Sequence, residues 1–292
     1  MPKTGGYEDG YWWSNDGLRL HYRDYPGAED KAPLLCLPGL TRNARDFAAL
    51  AERVAPARRV IAVDFRGRGE SAYATDPMSD VPLTYRHDLE RLIDELGLAR
   101  FVVVGTSLGG IVAMLLGAAG ANRLAGVILN DIGPSIESAG LERIRGTVSR
   151  STSWPTWAHA GRSLADTNRA AHPDHDLSDW IAMAKRLFRL TPEGRIVPDY
   201  DKRIAEPFRL PGSDTDQGGG VDLWTAFDAL HAVPMLLVRG ERSDVLTEAT
   251  ADAMIARAGN ARLVTVPRVG HAPILDEPVV VAAIDTLLAG LA

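Results

Sequence analysis

The sequence has little cysteine, no long apolar run and no recognisable export signal. Cys36 is the only cysteine among 292 residues, which excludes a disulfide framework and a zinc site built from thiolates. It lies in the apolar run 34–37 and is expected to be a buried strand residue. No apolar run approaches membrane-spanning length, and residues 1–13 lack the apolar core of a signal peptide. These absences predict a soluble, cytoplasmic protein that does not contact a membrane.

The sequence also has fewer basic residues than acidic residues. The chain has 38 acidic and 32 basic residues, which gives a formal net charge of −6. Lysine and arginine are scattered along the chain and form no basic stripe interleaved with aromatic residues. A nucleic acid is therefore excluded as the main partner, and a small molecule is expected instead. The sequence leaves open whether the protein is a monomer or a homodimer.

Segments with the patterns of strands and helices alternate along most of the chain. An opening hairpin is predicted from strands at 11–14 and 18–23 around Asn15-Asp16-Gly17. Later strands are predicted at 33–37, 60–64, 101–104, 126–129, 235–239 and 262–266. Helices are predicted at 44–54, 84–96, 108–119, 248–258 and 279–288. The middle strands are apolar nearly throughout, so an α/β fold is predicted, with a mostly parallel central sheet covered by helices on both faces.

The alternation stops after Ile132 and resumes at Pro234. Residues 134–232 read as helices and loops, including glycine-rich loops around 211–220. They are interpreted as a helical insertion into one core domain, formed by residues 1–133 and 233–292. No separate domain in tandem is expected.

The most informative segment is 101–113, where four apolar residues run into Gly105-Thr106-Ser107-Leu108-Gly109 and a helix-compatible stretch. This is a G-x-S-x-G pattern in a strand–turn–helix context. Glycines at 105 and 109 permit the sharp turn and close packing that would expose the Ser107 hydroxyl. Ser107 is therefore the candidate nucleophile, although a plain glycine-rich turn is the alternative.

A serine hydroxyl needs a base, and the base needs a group that orients it. His271 and Asp244 each follow one of the last two predicted strands, so both are expected at the same sheet edge as Ser107. Asp131, which follows the strand at 126–129, is the rival acid. Asp244 is preferred because it and His271 follow consecutive strands.

The segment from His172 to Asp176 contains two histidines and two aspartates but no distant partner with ligand spacing. It is predicted to be a solvated loop, and no metal or organic cofactor is expected.

Two backbone N–H groups are candidates for holding a developing oxyanion: that of Leu108, directly after the serine, and that of Leu40, in the loop after the strand at 33–37.

Taken together, several motifs resemble the α/β-hydrolase fold superfamily. They are Leu37-Pro38-Gly39-Leu40, Asp64-Phe65-Arg66-Gly67-Arg68-Gly69-Glu70-Ser71, Gly105-Thr106-Ser107-Leu108-Gly109, Asp244 and His271. Members commonly carry His-Gly where this chain has Pro38-Gly39, so the shape of the oxyanion loop is left open. The resemblance implies that the 64–71 segment holds the site loops and that the insertion is a lid over the pocket.

The resemblance implies a serine hydrolase that cleaves a small or medium carboxylic ester or lactone through an acyl-enzyme. Four aromatic residues of the insertion are candidates for a pocket that takes an apolar part of the substrate: Trp154, Trp157, Trp224 and Phe227. Two alternatives stay open. One is hydrolysis of a carbon–carbon or amide bond on the same fold, and the other is a ligand-binding receptor that retains the triad.

Overall fold

The structure, a computed structural model, describes residues 6–148, 152–207 and 222–291. The glycine-rich loops predicted at 211–220 lie outside these ranges. Where strands and helices were predicted, the chain forms them with small shifts in their ends.

A central sheet of eight strands has the order β1-β2-β4-β3-β5-β6-β9-β10. Its strands are β1 Glu8–Trp13, β2 Arg19–Tyr25, β3 Leu34–Leu37, β4 Val60–Asp64, β5 Phe101–Thr106, β6 Leu124–Asn130, β9 Met235–Gly240 and β10 Ala261–Val266. The predicted hairpin, β1 with β2, is antiparallel, as is the pairing of β2 with β4. The remaining neighbours are parallel, which confirms the predicted α/β fold with its mostly parallel sheet.

Helices cover both faces of this sheet. The helices are α1 Ala48–Val54, α2 Pro82–Glu95, α3 Leu108–Gly120, α4 Ser138–Val148, α5 Trp157–Asn168, α6 Leu177–Leu187, α7 Leu223–Asp228, α8 Glu248–Arg257 and α9 Pro278–Ala289. Side chains of α2, α3, α7 and α8 pack into one apolar cluster, and those of α1 and α9 pack into the other. Strands buried between two apolar layers must be apolar on both sides, which explains their continuous hydrophobic runs.

Segment 134–207, which we call the inserted segment, leaves the core after β6. It contains α4, α5, α6 and a small antiparallel sheet of β7 Phe188–Leu190 and β8 Ile196–Pro198. Helices α5 and α6 bury their own apolar cluster, which includes Trp180 and Met183. The inserted segment therefore has a small core of its own, separate from the two layers on the sheet.

The sequence places α7 in the predicted insertion, residues 134–232, but its side chains pack with the core. Leu223, Ala226 and Phe227 of α7 are buried in the main core cluster together with α3. The chain has thus already returned to the α/β core by residue 222. A short helix next to the predicted boundary carries no sequence signal that tells which of two apolar clusters it joins.

Within residues 6–148, 152–207 and 222–291, no helix is long and apolar enough to cross a bilayer. Cys36 is fully buried in β3 as predicted, and burial raises the pKa of its thiol.

Gly109 allows α3 to lie directly against β3. A Cβ at this position would be 2.1 Å from the carbonyl oxygen of Leu37, a backbone atom that cannot rotate away. We expect Gly109→Ala to lower the free energy of unfolding by about 3 kcal/mol or more, as overpacking of a rigid core does. Urea unfolding followed by circular dichroism measures this change.

Gly146→Ala is the matched control, because Gly146 is an exposed helical glycine with nothing within 4 Å of the added Cβ. It should be neutral or stabilise the protein by up to about 1 kcal/mol. Equal effects of the two substitutions would contradict the packing argument.

Candidate active site

Ser107 lies at a sharp turn between β5 and α3, with φ 52° and ψ −118°. This conformation is costly for a residue with a side chain, and its neighbours must supply the space. A Cβ at Gly105 would be 2.4 Å from the carbonyl oxygen of Gly109, so the turn closes only because glycine stands there. The Ser107 N–H donates to the Asn130 carbonyl at 3.0 Å, which ties the turn to the end of β6.

The His271 imidazole bridges Ser107 and a carboxylate. Its Nε2 is 2.9 Å from the Ser107 Oγ, and its Nδ1 is 2.8 Å from Oδ2 of Asp131. The carboxylate accepts the Nδ1–H, and this leaves Nε2 as the acceptor for the serine proton. Sequence reasoning predicted that Ser107 and His271 would lie together, and the structure places them in contact.

Asp131 is fully buried and its carboxylate is bound by three donors. Besides His271, the Gly240 N–H donates to Oδ1 at 2.8 Å and the Ser243 hydroxyl donates to Oδ2 at 2.7 Å. A buried carboxylate held by three donors has a fixed orientation. Asp131 therefore has the position and the environment of the group that orients the imidazole.

The expectation that Asp244 would orient His271 is corrected by this geometry. The Asp244 carboxylate instead accepts two hydrogen bonds from the Arg143 guanidinium of α4, at 2.6 and 2.8 Å. Helix α4 comes this close because residue 140 is glycine: a Cβ there would be 2.2 Å from the Asp244 carbonyl. The hydrogen bonds from Arg143 hold the pKa of Asp244 below its usual value.

The loop that carries His271 is fixed on two sides. The buried Asn130 side chain donates to the Pro273 carbonyl at 2.8 Å, and the Gly270 N–H donates to the Ala171 carbonyl of the inserted segment at 2.7 Å. Sequence reasoning missed Asn130. The signal that was available was its place directly before Asp131, at the end of an apolar strand.

The two candidate oxyanion donors, Leu40 and Leu108, follow β3 and β5, which are neighbours in the sheet. Leu108 is the first residue of α3, so its N–H has no acceptor within the helix. Leu40 lines the same cavity as Ser107. The Leu40 carbonyl accepts a hydrogen bond of 2.8 Å from Nε of the fully buried Arg68, so the 64–71 segment contacts this loop directly.

A cavity of about 360 Å³ opens beside Ser107 and His271, large enough for a small organic ligand. The core contributes residues 39–42 and 272–276 to its wall. The inserted segment contributes Ile144, Asn168, His172, Met183 and Arg186. The side of the cavity formed by the inserted segment therefore combines three polar side chains with two apolar ones.

None of the four aromatic pocket candidates lines this cavity. Trp154 stacks on Phe188 at 4.5 Å between ring centroids, and Trp157 packs against the cluster within the inserted segment. Trp224 and Phe227 pack on the main core. The pocket prediction is corrected because these rings pack on other apolar clusters: Phe227 is buried, and the three tryptophans are half-buried.

His172 was predicted to lie in a solvated loop, and it is buried instead. It lines the cavity and stacks on His175 with 4.7 Å between ring centroids. Burial, together with the charges of nearby histidines and arginines, lowers the pKa of His172 to about 3, so its ring is neutral at physiological pH. In the described part of the chain, no three His, Cys, Asp or Glu side chains form a group that could hold a metal ion.

Comparison with known proteins places this geometry in a family context. Residues 34–284 match the model of the alpha/beta hydrolase family. The chain is 30% identical over 276 residues to a 3-hydroxybutyrate-oligomer hydrolase of Cupriavidus necator, and the match covers 93% of each protein. It is 29% identical over 225 residues to an esterase of Mycobacterium tuberculosis, which covers 75% of this chain and 70% of the esterase.

Among solved structures, the chain is similar to an alpha/beta hydrolase from Novosphingobium aromaticivorans. The two are 51% identical in sequence and superpose with a TM-score of 0.93, covering 98% of this chain and 99% of that one.

Proposed function

Since the chain belongs to the alpha/beta hydrolase family and is an ester-hydrolysing member of it, we propose that it is a serine hydrolase acting through an acyl-enzyme. The observation that carries the proposal is the continuous chain of hydrogen bonds from Ser107 through His271 to buried Asp131. The proposed substrate is a small or medium carboxylic ester or lactone. Relatives named as a 3-hydroxybutyrate-oligomer hydrolase and as an esterase support this class.

In the first step, the Ser107 Oγ attacks the ester carbonyl carbon while His271 Nε2 accepts the hydroxyl proton. Asp131 stays ionised and stabilises the imidazolium through the bond to Nδ1. The Leu40 and Leu108 N–H groups are proposed to donate to the oxyanion of the tetrahedral intermediate. The intermediate then collapses, and the alcohol leaves with the proton that His271 carried.

In the second step, a water molecule gives a proton to His271 Nε2 and attacks the acyl group on Ser107. Collapse of this second intermediate releases the acid and returns the proton to the serine. The inserted segment is proposed to act as the lid, since it supplies one wall of the cavity in which both steps occur. Such a wall excludes bulk water and orients the ester.

The nucleophile can be tested without knowledge of the substrate. A fluorophosphonate should label Ser107 rapidly in the wild type, and no label should form in Ser107→Ala. In His271→Ala the labelling rate should fall by orders of magnitude, because the serine loses its base. Peptide mass spectrometry and time courses of labelling measure both effects.

His231→Ala is the control, since His231 is exposed and its ring is hydrogen-bonded to the Asp228 carbonyl. Its labelling rate should equal that of the wild type. Undiminished labelling of Ser107→Ala would refute the mechanism. If the folded wild type shows no labelling, the alternative of a binding protein would replace it.

The same replacement of aspartate by asparagine should have very different effects at Asp131 and at Asp244. Asp131→Asn should lower kcat by about 10⁴, because the amide can no longer hold the imidazole in the required tautomer. Asp244→Asn should lower kcat less than tenfold, since Asp244 bonds Arg143 instead of His271. Steady-state kinetics on a chromogenic short-chain ester measures both, with thermal melting as a check on folding. The reverse order of effects would reinstate Asp244 as the acid.

A further inference from the structure

The last turn of α6 is fastened to the core beside the cavity. The Arg186 carbonyl accepts hydrogen bonds from the Asn43 side chain at 2.9 Å and from Nε of Arg45 at 2.8 Å. Both donors belong to the segment that follows the Leu40 loop. The backbone of Arg186 therefore has a fixed position, and its side chain lines the cavity that contains Ser107.

Within the described residues, the Arg186 guanidinium donates no hydrogen bond to a carboxylate. Its nearest acidic group is Asp46, with 3.6 Å between Nε and Oδ1, which is beyond hydrogen-bond length. Both oxygens of Asp46 already accept hydrogen bonds from Arg42. Two guanidinium groups thus face the Asp46 carboxylate, and of the two it is Arg42 that is hydrogen-bonded to it.

Two further acidic residues line the cavity, Glu52 and Asp276, and both are exposed. Neither forms an ion pair with Arg186 within the described structure, and water screens their charges more strongly than it screens buried ones. The side chain of Arg186 is only 30% exposed, and burial lowers its pKa. The guanidinium is nevertheless protonated at every physiological pH, so it is a partly desolvated cation on which Asp46, Asp276 and Asp179 act through longer-range attraction.

The neighbouring polar groups on this wall are neutral. His172 is uncharged, and its ring nitrogens make no hydrogen bond within the described residues. The Asn168 side chain donates to the Leu164 carbonyl and the Thr167 hydroxyl, which leaves its carbonyl oxygen as an acceptor. The wall formed by the inserted segment therefore combines a cation that is not hydrogen-bonded to a carboxylate with neutral polar groups and two apolar side chains.

We propose that Arg186 binds a carboxylate on the substrate, so that the enzyme prefers short esters that end in a free acid group. This inference rests on the proposed function and replaces the expected apolar substrate part with an anionic one. A planar guanidinium suits a carboxylate because it can donate two parallel hydrogen bonds. A substrate carboxylate also supplies free hydrogen-bond acceptors, whereas both oxygens of Asp46 already accept hydrogen bonds from Arg42.

The test uses two chromogenic esters of equal length, the 4-nitrophenyl monoester of adipic acid and its methyl-capped counterpart, at low ionic strength. We expect the wild type to hydrolyse the free acid with a kcat/KM about tenfold above that for the neutral ester. Arg186→Gln should lower kcat/KM for the free acid about tenfold more than kcat/KM for the neutral ester, so that the preference is lost. Arg186→Lys should retain part of the preference.

Arg189→Gln is the matched control, because it removes a cation three residues away that does not line the cavity and is half exposed. It should leave the preference unchanged. A second measurement needs no turnover: adipate should slow fluorophosphonate labelling of Ser107 in the wild type but not in Arg186→Gln, and neutral adipamide should slow it in neither.

The remaining outcomes separate failure of this inference from failure of the proposed function. A wild type that is labelled at Ser107 but hydrolyses both esters equally overturns carboxylate recognition and leaves the serine mechanism standing. An Arg186→Gln variant that loses both activities in the same proportion shows a structural role for Arg186 and also overturns the proposal. Absence of both labelling and hydrolysis refutes the proposed function itself, and the inference falls with it.

Discussion

The active-site region depends on a close backbone contact between β3, β5 and α3. Gly105 and Gly109 let these elements approach to distances that no Cβ would allow. This contact sets the position of the Ser107 turn, of the first N–H of α3 and of the Leu40 loop that follows β3. Because backbone atoms form it, the relative placement of these groups does not depend on side-chain rotamers.

Two aspartates follow neighbouring strands, and their partners decide which of them faces the histidine. Asp131 receives donors from β9 and the loop after it, which hold its carboxylate under the imidazole. Asp244 lies at the surface of the core, where α4 arrives with Arg143. The hydrogen bonds to Asp131 from β9 and its loop, and the hydrogen bonds to Asp244 from Arg143, each join residues about a hundred positions apart. The order of strands along the sequence therefore does not distinguish the two acids.

The α/β core was predictable because its signal is local. Apolar runs mark the buried strands, a helical stripe marks α2, and the glycines around Ser107 mark the turn. The sequence of the inserted segment carries no comparable signal, because the periodicity of a helix does not determine the angle at which it packs on other helices or on the core. Aromatic content therefore suggested a pocket at Trp154 and Trp224, whereas those rings fill other interfaces. His172 was missed for the converse reason, because a polar stretch of sequence contributes one buried ring.

The inserted segment is joined to the core by polar as well as apolar contacts, and the polar contacts have a consequence for the cavity between the two parts. Asn43 and Arg45 bind the end of α6, and Arg45 also pairs with Asp199 further along the inserted segment. The same stretch of core chain contains Arg42, which donates hydrogen bonds to the carboxylate of Asp46. An interface rich in arginine brings cations to the cavity edge as a by-product of holding the two parts together. The polar character of this wall thus follows from how the insertion is attached, and a substrate that fits it must satisfy charge as well as shape.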